Sequence, residues 1–399
     1  MAKGIALGNP MYLMIIGLIR TLKDLWGYLN RRAMWLFGFG LGLALVVNLL
    51  TWRRDRQRLE RIKAGKKPRQ ALAADPLVSI LVPAWNEAHN IVAFIQSGRN
   101  LRYPNVQLVL CAGGEDGTLD LARHYDNETT VVLEQFPGDG KQGALRRCLR
   151  QATGEILFLT DADCLLDDRC FEGTLGPIIN DGQPAATGAW RPLDQQLGKP
   201  FVQYQWAHHR YREVMLPDLA PTLDGRNAAL TRQALLETGG FAANAPIGTD
   251  YVLSRQLTNL GYRIAFVRQS LIQTVYPETP TQYWQQQSRW FRNWLLLRRQ
   301  WGEEIPMIDL VRATIPALFL LSVPALGRLV GPLLWAVWGA IFCHLALSTQ
   351  RFAAILWLSE GKKPQVSRAL SFVVYLPVGW VATLRGLLDT VRSTRSSAW

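Results

Sequence analysis

Cysteine and histidine are scarce in this chain, and those present are poorly spaced for holding a metal. The five cysteines, Cys111, Cys148, Cys164, Cys170 and Cys343, are odd in number and include no Cys-x-x-Cys pair. The five histidines include the adjacent His208 and His209 but no His-Glu-x-x-His spacing. A zinc site and a disulfide framework are thereby excluded, and reduced thiols are the default. Negative charge is also short, with 31 acidic against 44 basic residues and a formal charge of +13. Much of that excess lies in one place: Arg53 to Arg69 holds nine basic and two acidic residues, +7 of the +13. A basic run beside an apolar block marks the cytosolic side of a membrane and suits anionic head groups. Because the charge is juxtamembrane and not spread over a recognition domain, no nucleic-acid partner is expected.

Long apolar runs, by contrast, are plentiful at both ends. Ala33 to Trp52, "AMWLFGFGLGLALVVNLLTW", is uncharged, with Asn48 and Thr51 as its polar side chains. As a helix it would reach roughly 30 Å, one hydrocarbon core, and its position and flanks suit a span better than a secretory signal. Trp35 and Trp52 fall where interfacial rings belong. Ile315–Leu326, Leu329–Leu347 and Leu370–Leu388 read as three further spans, interrupted by Arg328 and "SEGKKPQVSR". Met11 to Ile19, followed by Arg20, Lys23 and Asp24, reads as an amphipathic helix lying on the interface. The expected organisation is an interfacial segment (1–32), a span (33–52), a basic linker (53–71), an α/β domain (72–282), an interfacial helix (283–304), a membrane region of about three spans (305–391) and a tail (392–399). The expected location is a multi-pass membrane protein with its catalytic domain in the cytosol, although Arg385, Arg392 and Arg395 sit poorly on an outer face.

Between the apolar ends the texture changes. "LVSILVPAWNEAHNIVAFIQSGRN", from Leu77, opens with a run of six, apolar except for Ser79 and bounded by Pro83, and continues into an amphipathic stretch. That is a buried strand followed by a helix. The alternation recurs through "VQLVLCAGG", "GTLDLARHY", "TTVVLE", "KQGALRRCLRQATG" and "EILFLTDAD". Strands separated by helices of about ten residues make right-handed crossovers and a mostly parallel sheet, and such sheets bind ligands beyond the carboxyl ends of their strands. Asp161 and Asp163 fall at one such end. Two carboxylates that close repel unless a cation lies between them, and Mg²⁺ or Mn²⁺ completed by phosphate oxygens is the usual resolution.

Taken in order, "VSILVPAWNE", "GKQGAL" from Gly140, "DAD" at Asp161, "DGRNAALTRQALLETGGF" from Asp224, "TD" ending at Asp250 and "QQSRW" from Gln286 resemble a membrane-integrated family 2 glycosyltransferase. The resemblance covers about Pro76 to Trp301 and points to the cellulose, hyaluronan and poly-N-acetylglucosamine synthase branch. It implies a GT-A fold, a Rossmann-like and mostly parallel cytosolic α/β domain flanked by transmembrane helices. It also implies that Asp161 and Asp163 hold the nucleotide diphosphate and metal, with Lys141 nearby, and that Asp250 is the base for the acceptor hydroxyl. Gln286, Arg289 and Trp290 match the Gln-x-x-Arg-Trp motif associated with acceptor and diphosphate. Glu87, closing the first motif, is placed on the donor side as well. One departure is plain: where the family carries a base-reading aspartate after the second strand, this chain reads "LCAGGEDGT", leaving Glu115 or Asp116 to take over.

Simpler readings stand beside each of these. Asp250 could cap a helix from Tyr251 to Leu260, Lys141 could be a solvated lysine, and Asn86 and Glu87 could merely start a helix. "WRPLDQQLGKPFVQYQWAHHRYREVM", from Trp190, could be one core-covering amphipathic helix, or Trp190 or Trp206 could face an acceptor. On a helix over Thr281–Trp301, Gln286, Arg289 and Asn293 form a polar line. Beside it Tyr283, Trp290, Trp294, Leu297 and Trp301 form an aromatic stripe suited to the bilayer surface. The functional expectation is inverting transfer from a nucleotide sugar, UDP-linked by preference, to a growing polysaccharide at the cytosolic face. A glycolipid synthase and a non-catalytic partner of a synthase are the alternatives.

Overall fold

The computed structural model describes residues 10–65, 70–242, 248–305, 307–363 and 366–392. The first nine residues, Lys66–Arg69 of the basic run, positions 243–247 ahead of Asp250, and the tail from 393 lie outside it. Two helices open the chain, α1 (Pro10–Arg31) and α2 (Ala33–Ala64). The basic run expected as a linker is helical as far as Ala64, so α2 carries the apolar block and twelve further residues as one rod. Nothing interrupts it: "RRDRQRLERIKA" is rich in good helix formers and holds no glycine or proline.

The α/β domain follows in the expected alternation: β1 (Val78–Trp85), α3 (Ile91–Arg99), β2 (Val106–Gly113), α4 (Thr118–Arg123), β3 (Thr130–Glu134), α5 (Gly140–Gln151) and β4 (Ile156–Leu159). After β4 come β5 (Cys164–Leu165), α6 (Asp168–Ile179), β6 (Ala185–Pro192), α7 (Pro200–Met215), β7 (Leu219–Ala220), β8 (Ala228–Thr231), α8 (Arg232–Glu237), α9 (Thr249–Asn259) and β9 (Ile264–Thr274). They form one mixed sheet in the order β3-β2-β1-β4-β8-β6-β9-β5, with β7 on β9. The β3-β2-β1-β4 half is parallel throughout, as is the long β6–β9 ladder, while β8 and the two-residue strands pair antiparallel. Alternate residues of β1 serve opposite cores. Ile80 and Val82 pack with Phe94, Leu110, Phe158 and Phe171 on one face, and Leu81 with Leu145, Leu157 and Leu253 on the other. Helices on both faces account for strands that are apolar nearly throughout.

Pro83 does not end β1, as its sequence position suggested; the strand continues to Trp85. Thr160 N–H donates to Leu81 O, so that residue's polar groups face β4, and Pro83, two residues on, faces the same side where β4 has already ended at Leu159. A missing N–H costs little at such an edge. Nor is the Trp190 stretch one helix: Trp190 lies in β6, and helix begins only at Pro200.

Asn227, fully buried beside the β6 bulge at Gly188/Ala189, ties this half together. Its amide nitrogen lies 2.9 Å from Ala189 O, 3.2 Å from Ser270 O and 3.0 Å from Ser270 Oγ, and its Oδ1 accepts from Thr174 Oγ1 at 2.8 Å. A Cβ on Gly188 would fall 2.1 Å from that nitrogen, so the glycine makes room for the amide.

The C-terminal part comprises α10 (Pro280–Gln300), α11 (Met307–Leu326), α12 (Pro332–Ser359), α13 (Val366–Ser371) and α14 (Leu376–Arg392). Among the described residues, four stretches are long and apolar enough to cross a membrane: Ala33–Ala64, Met307–Leu326, Pro332–Ser359 and Arg368–Arg392. α2 and α12 pack closely through glycines; a Cβ on Gly40 would lie 2.7 Å from Ala340 Cβ, and one on Gly339 2.8 Å from Phe37. Such small-residue contacts are how apolar helices approach where no hydrophobic drive separates helix from lipid. Asn48 bonds His344 (3.0 Å) and Ser348 (3.1 Å), and Arg351 pairs with Asp55 at 3.4 Å along the same seam. Replacing Asn227 by Ala strands several buried partners, and we expect Asn227→Ala to destabilise the chain by roughly 2–4 kcal/mol. Thermal unfolding of the detergent-solubilised protein checks this, and an unshifted melting curve would refute it.

Candidate active site

The sheet order reverses between β1 and β4, and the crevice beyond their carboxyl ends is where an open α/β sheet binds its ligand. β4 delivers Asp161 and Asp163, both half-buried. Lys141, at the start of α5, reaches across and donates to Asp161 Oδ1 at 2.5 Å. It is therefore not a free surface lysine: burial opposes its charge, but Asp161 and Asp250 outweigh burial and hold its pKa above the usual value. Asp163 is raised instead, by burial and by the adjacent Asp161, against the pull of Arg226 and Lys141.

Asp250 arrives from the other side. It lies in the first turn of α9, whose N-cap is Gly248 in the left-handed region, so Asp250 is not the helix cap. Its Oδ1 accepts the neighbouring Tyr251 N–H at 2.9 Å. Gly225 sits between the two halves of the site: a Cβ there would meet Asp250 Cβ and Lys141 Nζ, each at 3.5 Å. Burial raises the Asp250 carboxyl and Lys141 opposes the rise. Glu87 follows the end of β1, facing the same carboxylates; its carboxyl is pushed up to about 7, first by burial and then by Asp163, Asp161 and Asp116, with Asn90 opposing.

Arg226 was not singled out from the sequence, although it lies in the quoted "DGRNAAL" run. Asp224 accepts from its Nε at 3.1 Å. Its guanidinium lies 3.9 Å over the Trp190 ring and 5.6 Å from that of Trp290. Trp190 also packs on His209 (4.2 Å), Tyr276 (5.0 Å) and, edge-on, Trp290 (6.3 Å), which makes an aromatic wall beside the carboxylates. Trp206 is no part of this wall; it is buried in the cluster that joins α7 to α12.

Trp290 thus reaches the site, and α10 spans Pro280–Gln300, within one residue of the expected helix. Its faces are turned differently from expectation, however. Tyr283 packs on Phe201, Trp290 on Trp190, and Leu297 against Gly248 and Val252, so these three members of the stripe, seven residues apart, face the α/β domain, while Trp294 packs on Phe291 and Trp301 is exposed. The opposite side meets α14, where Ser288 Oγ donates to Ala382 O (3.0 Å) and Phe291 seats against Gly386. Gln286 is half-buried and Arg289 exposed, and neither bonds or pairs with any described residue.

Gly113 closes β2 where the resemblance implied a base-reading aspartate. A Cβ there would fall 2.4 Å from Gln135 O, and one on Gly114, at φ 113°, 2.1 Å from Asn86 Oδ1. Asp116 is spoken for: Oδ1 accepts from Thr118 N–H and Oγ1, and Oδ2 from Ala88 N–H at 2.9 Å. It locks the β2–α4 turn to the β1–α3 turn. Glu115 is exposed, its N–H held by Asn86.

Residues 75–293 match the family model described as "Glycosyltransferase like family 2", which is more than half of the chain, and the chain belongs to that family. It is 24% identical over 302 residues to the probable glycosyltransferase YdaM of Bacillus subtilis, covering 72% of this chain and 66% of that protein. It is 25% identical over 234 residues to the poly-beta-1,6-N-acetyl-D-glucosamine synthase of Staphylococcus epidermidis, covering 56% and 57%. The chain therefore spans somewhat under two thirds of the length of these curated relatives. Among solved structures, the mannosyltransferase PcManGT from Pyrobaculum calidifontis, in complex with GDP-Man and Mn²⁺, aligns at a TM-score of 0.53 and 19% identity, over 92% of this chain and all of that one. That likeness establishes the GT-A fold.

Behind the aromatic wall, Glu213 receives the Trp190 N–H at 3.5 Å and pairs with Arg210 at 3.3 Å. Burial raises its carboxyl to about 7, with Arg210 opposing. A carboxyl raised by folding contributes stability that is full below its unfolded pKa and lost as pH rises through about 7. Between its ordinary value of 4.5 and about pH 7, Glu213 should thus make a contribution to melting temperature that falls as pH rises, and Glu213→Gln should remove it; equal slopes of melting temperature over that window in the two proteins would refute this.

Proposed function

We propose that this chain is a membrane-bound inverting glycosyltransferase that moves a sugar from a nucleotide-sugar donor, UDP-linked by preference, onto a growing polysaccharide at the cytosolic face. The observation that carries the reading is the convergence of Asp161, Asp163, Lys141, Arg226 and Asp250, drawn from four separate segments, at the switch point of the sheet. Asp250 would take the proton from the attacking hydroxyl. Burial that raises its carboxyl makes it the stronger base, and a positioned base is worth about 10²- to 10⁴-fold. Attack from that side, opposite the departing diphosphate, inverts the anomeric centre.

Asp161 and Asp163 suit a hard divalent ion, Mg²⁺ or Mn²⁺. Among the described residues no group of three or more His, Cys, Asp or Glu side chains could enclose an ion unaided, so diphosphate oxygens would complete the shell. Such an ion would stabilise the leaving diphosphate without a protonated acid. Lys141 and Arg226 add fixed positive charge to that side, and the free guanidinium of Arg289 suits phosphate oxygens by its planar fork. Trp290 and Trp190 offer ring faces against which a sugar can pack.

The synthase relative supports a polymer acceptor. A second reading, a glycolipid synthase, is favoured by the tight α2–α12 seam and by the small number of candidate spans, which leave little wall for a polymer channel in one chain. Purified full-length protein with labelled UDP- and GDP-sugars, metal and membrane lipids should release nucleoside diphosphate; no release from any donor sinks both readings. A ladder of products supports the polymer reading, and a single lipid-linked species the alternative. Asp250→Asn should lower turnover at least about 100-fold while sparing nucleotide binding, and Asp163→Ala should remove the metal dependence of nucleotide binding.

A further inference from the structure

α10 ends in a cap that places one acidic side chain against the helix carrying Asp250. Gly302, at φ 64°, lets its N–H reach Arg299 O (3.2 Å) while Glu303 N–H reaches Arg298 O at 2.9 Å. This is the paired bonding of a Schellman cap, and it fixes where residue 303 stands. The Glu303 carboxylate, 18% exposed, then accepts from the Tyr251 hydroxyl at 2.8 Å and forms an ion pair with Arg255 at 2.8 Å. Arg298 stands 3.8 Å away as a third positive partner. Tyr251 and Arg255 are four residues apart and so share one face of α9, directly beside Asp250. Leu297, one turn earlier on α10, is seated against Gly248, where a Cβ would clash at 2.3 Å.

We propose that Glu303 is a positioning residue for the acceptor base: it clips the first turns of α9 to the C-terminal end of the helix that carries Gln286, Arg289 and Trp290. The clip sets the rotation of α9 about its axis, and therefore the direction of the Asp250 carboxylate, in register with the acceptor side of the site. It rests on the assignment of Asp250 as base. The chemistry favours a carboxylate at 303 over an amide, since one charged group here receives a phenol and a guanidinium together. Misplacing a reacting group by about 1 Å can cost about 100-fold in rate, so the clip matters to turnover far more than to folding.

The test uses the full-length chain in lipid nanodiscs. Glu303→Ala and Glu303→Gln should lower kcat for nucleotide release by roughly 10- to 100-fold, leave donor KM within about 2-fold, and shift the acid limb of the kcat–pH profile. Glu303→Asp should recover part of the loss. Tyr251→Phe should show a smaller loss that does not add to that of Glu303→Ala. A wild-type kcat and pH profile in Glu303→Ala, beside an inactive Asp250→Asn, overturns the inference alone; an active Asp250→Asn overturns the base assignment instead. Amide hydrogen exchange supplies a readout independent of any donor: Glu303→Ala should speed exchange in residues 249–255 and leave β1 and β4 unchanged. Unaltered exchange in α9 overturns the clip.

Discussion

Two carboxylates separated by one residue, in a half-buried crevice, set the terms for the rest of the molecule. Asp161 and Asp163 repel each other, and burial raises the cost of their charge. The fold answers with two fixed cations from different directions, Lys141 from α5 and Arg226 from the loop before β8. Each cation in turn needs a seat. Lys141 has the first turn of α5, and Arg226 has Asp224 on one side and the Trp190 face on the other. Fixing Arg226 requires Asn227 to be fixed, which requires the β6 bulge and Gly188. A local electrostatic problem at the end of a four-residue strand thus propagates into the packing of the sheet's second half.

The same chain of requirements extends to the apolar C-terminal helices through α10. One of its faces presents Trp290 to Trp190 and Arg226, another packs Ser288 and Phe291 on α14, and its C-terminal turn meets α9. A helix with contacts on three sides has no freedom to turn or slide without disturbing all three. Any movement of α14 is therefore coupled through α10 to the helix that carries Asp250. α7 is a second such bridge: Arg210 pairs with Glu213 behind Trp190 and approaches Glu360 at the end of α12 at 3.7 Å.

Local pattern carried far in the sequence, and it failed where tertiary contacts decide. The parallel half of the sheet was legible because its strands are apolar runs separated by helices, and Asp161 and Asp163 because a strand end gives acidic residues a direction. The helix at Pro280–Gln300 was legible to within a residue, its start marked by a Thr279/Gln282 capping box. Its orientation was not: a stripe of large rings suits a bilayer surface and a protein core equally, and only the partner, here Phe201 and Trp190, separates the two. Arg226 escaped notice because an arginine next to an aspartate looks like a surface pair, and the rings that bury it lie 36 residues upstream and 64 downstream. Trp190 was drawn into a helix because aromatic density hides strand period, and the short antiparallel strands β5 and β7 are too brief to carry any period.

The glycines at 113 and 114 change how the departure from the family pattern should be understood. Loss of an aspartate by drift would leave a space that a carboxylate could refill. Here the space is taken: Gln135 O stands where a Cβ of residue 113 would lie, and Asn86 Oδ1 where that of residue 114 would lie. Asn86 is itself held at φ 57°, a costly region for a side-chain-bearing residue, and it uses that geometry to hold the Glu115 N–H. The turn after β2 and the turn after β1 are thus built together, with Asp116 and Thr118 as the lock between them. An aspartate placed at 113 or 114 would accordingly have to displace Gln135 or Asn86, so no single substitution at the strand end can restore the arrangement that the resemblance implied.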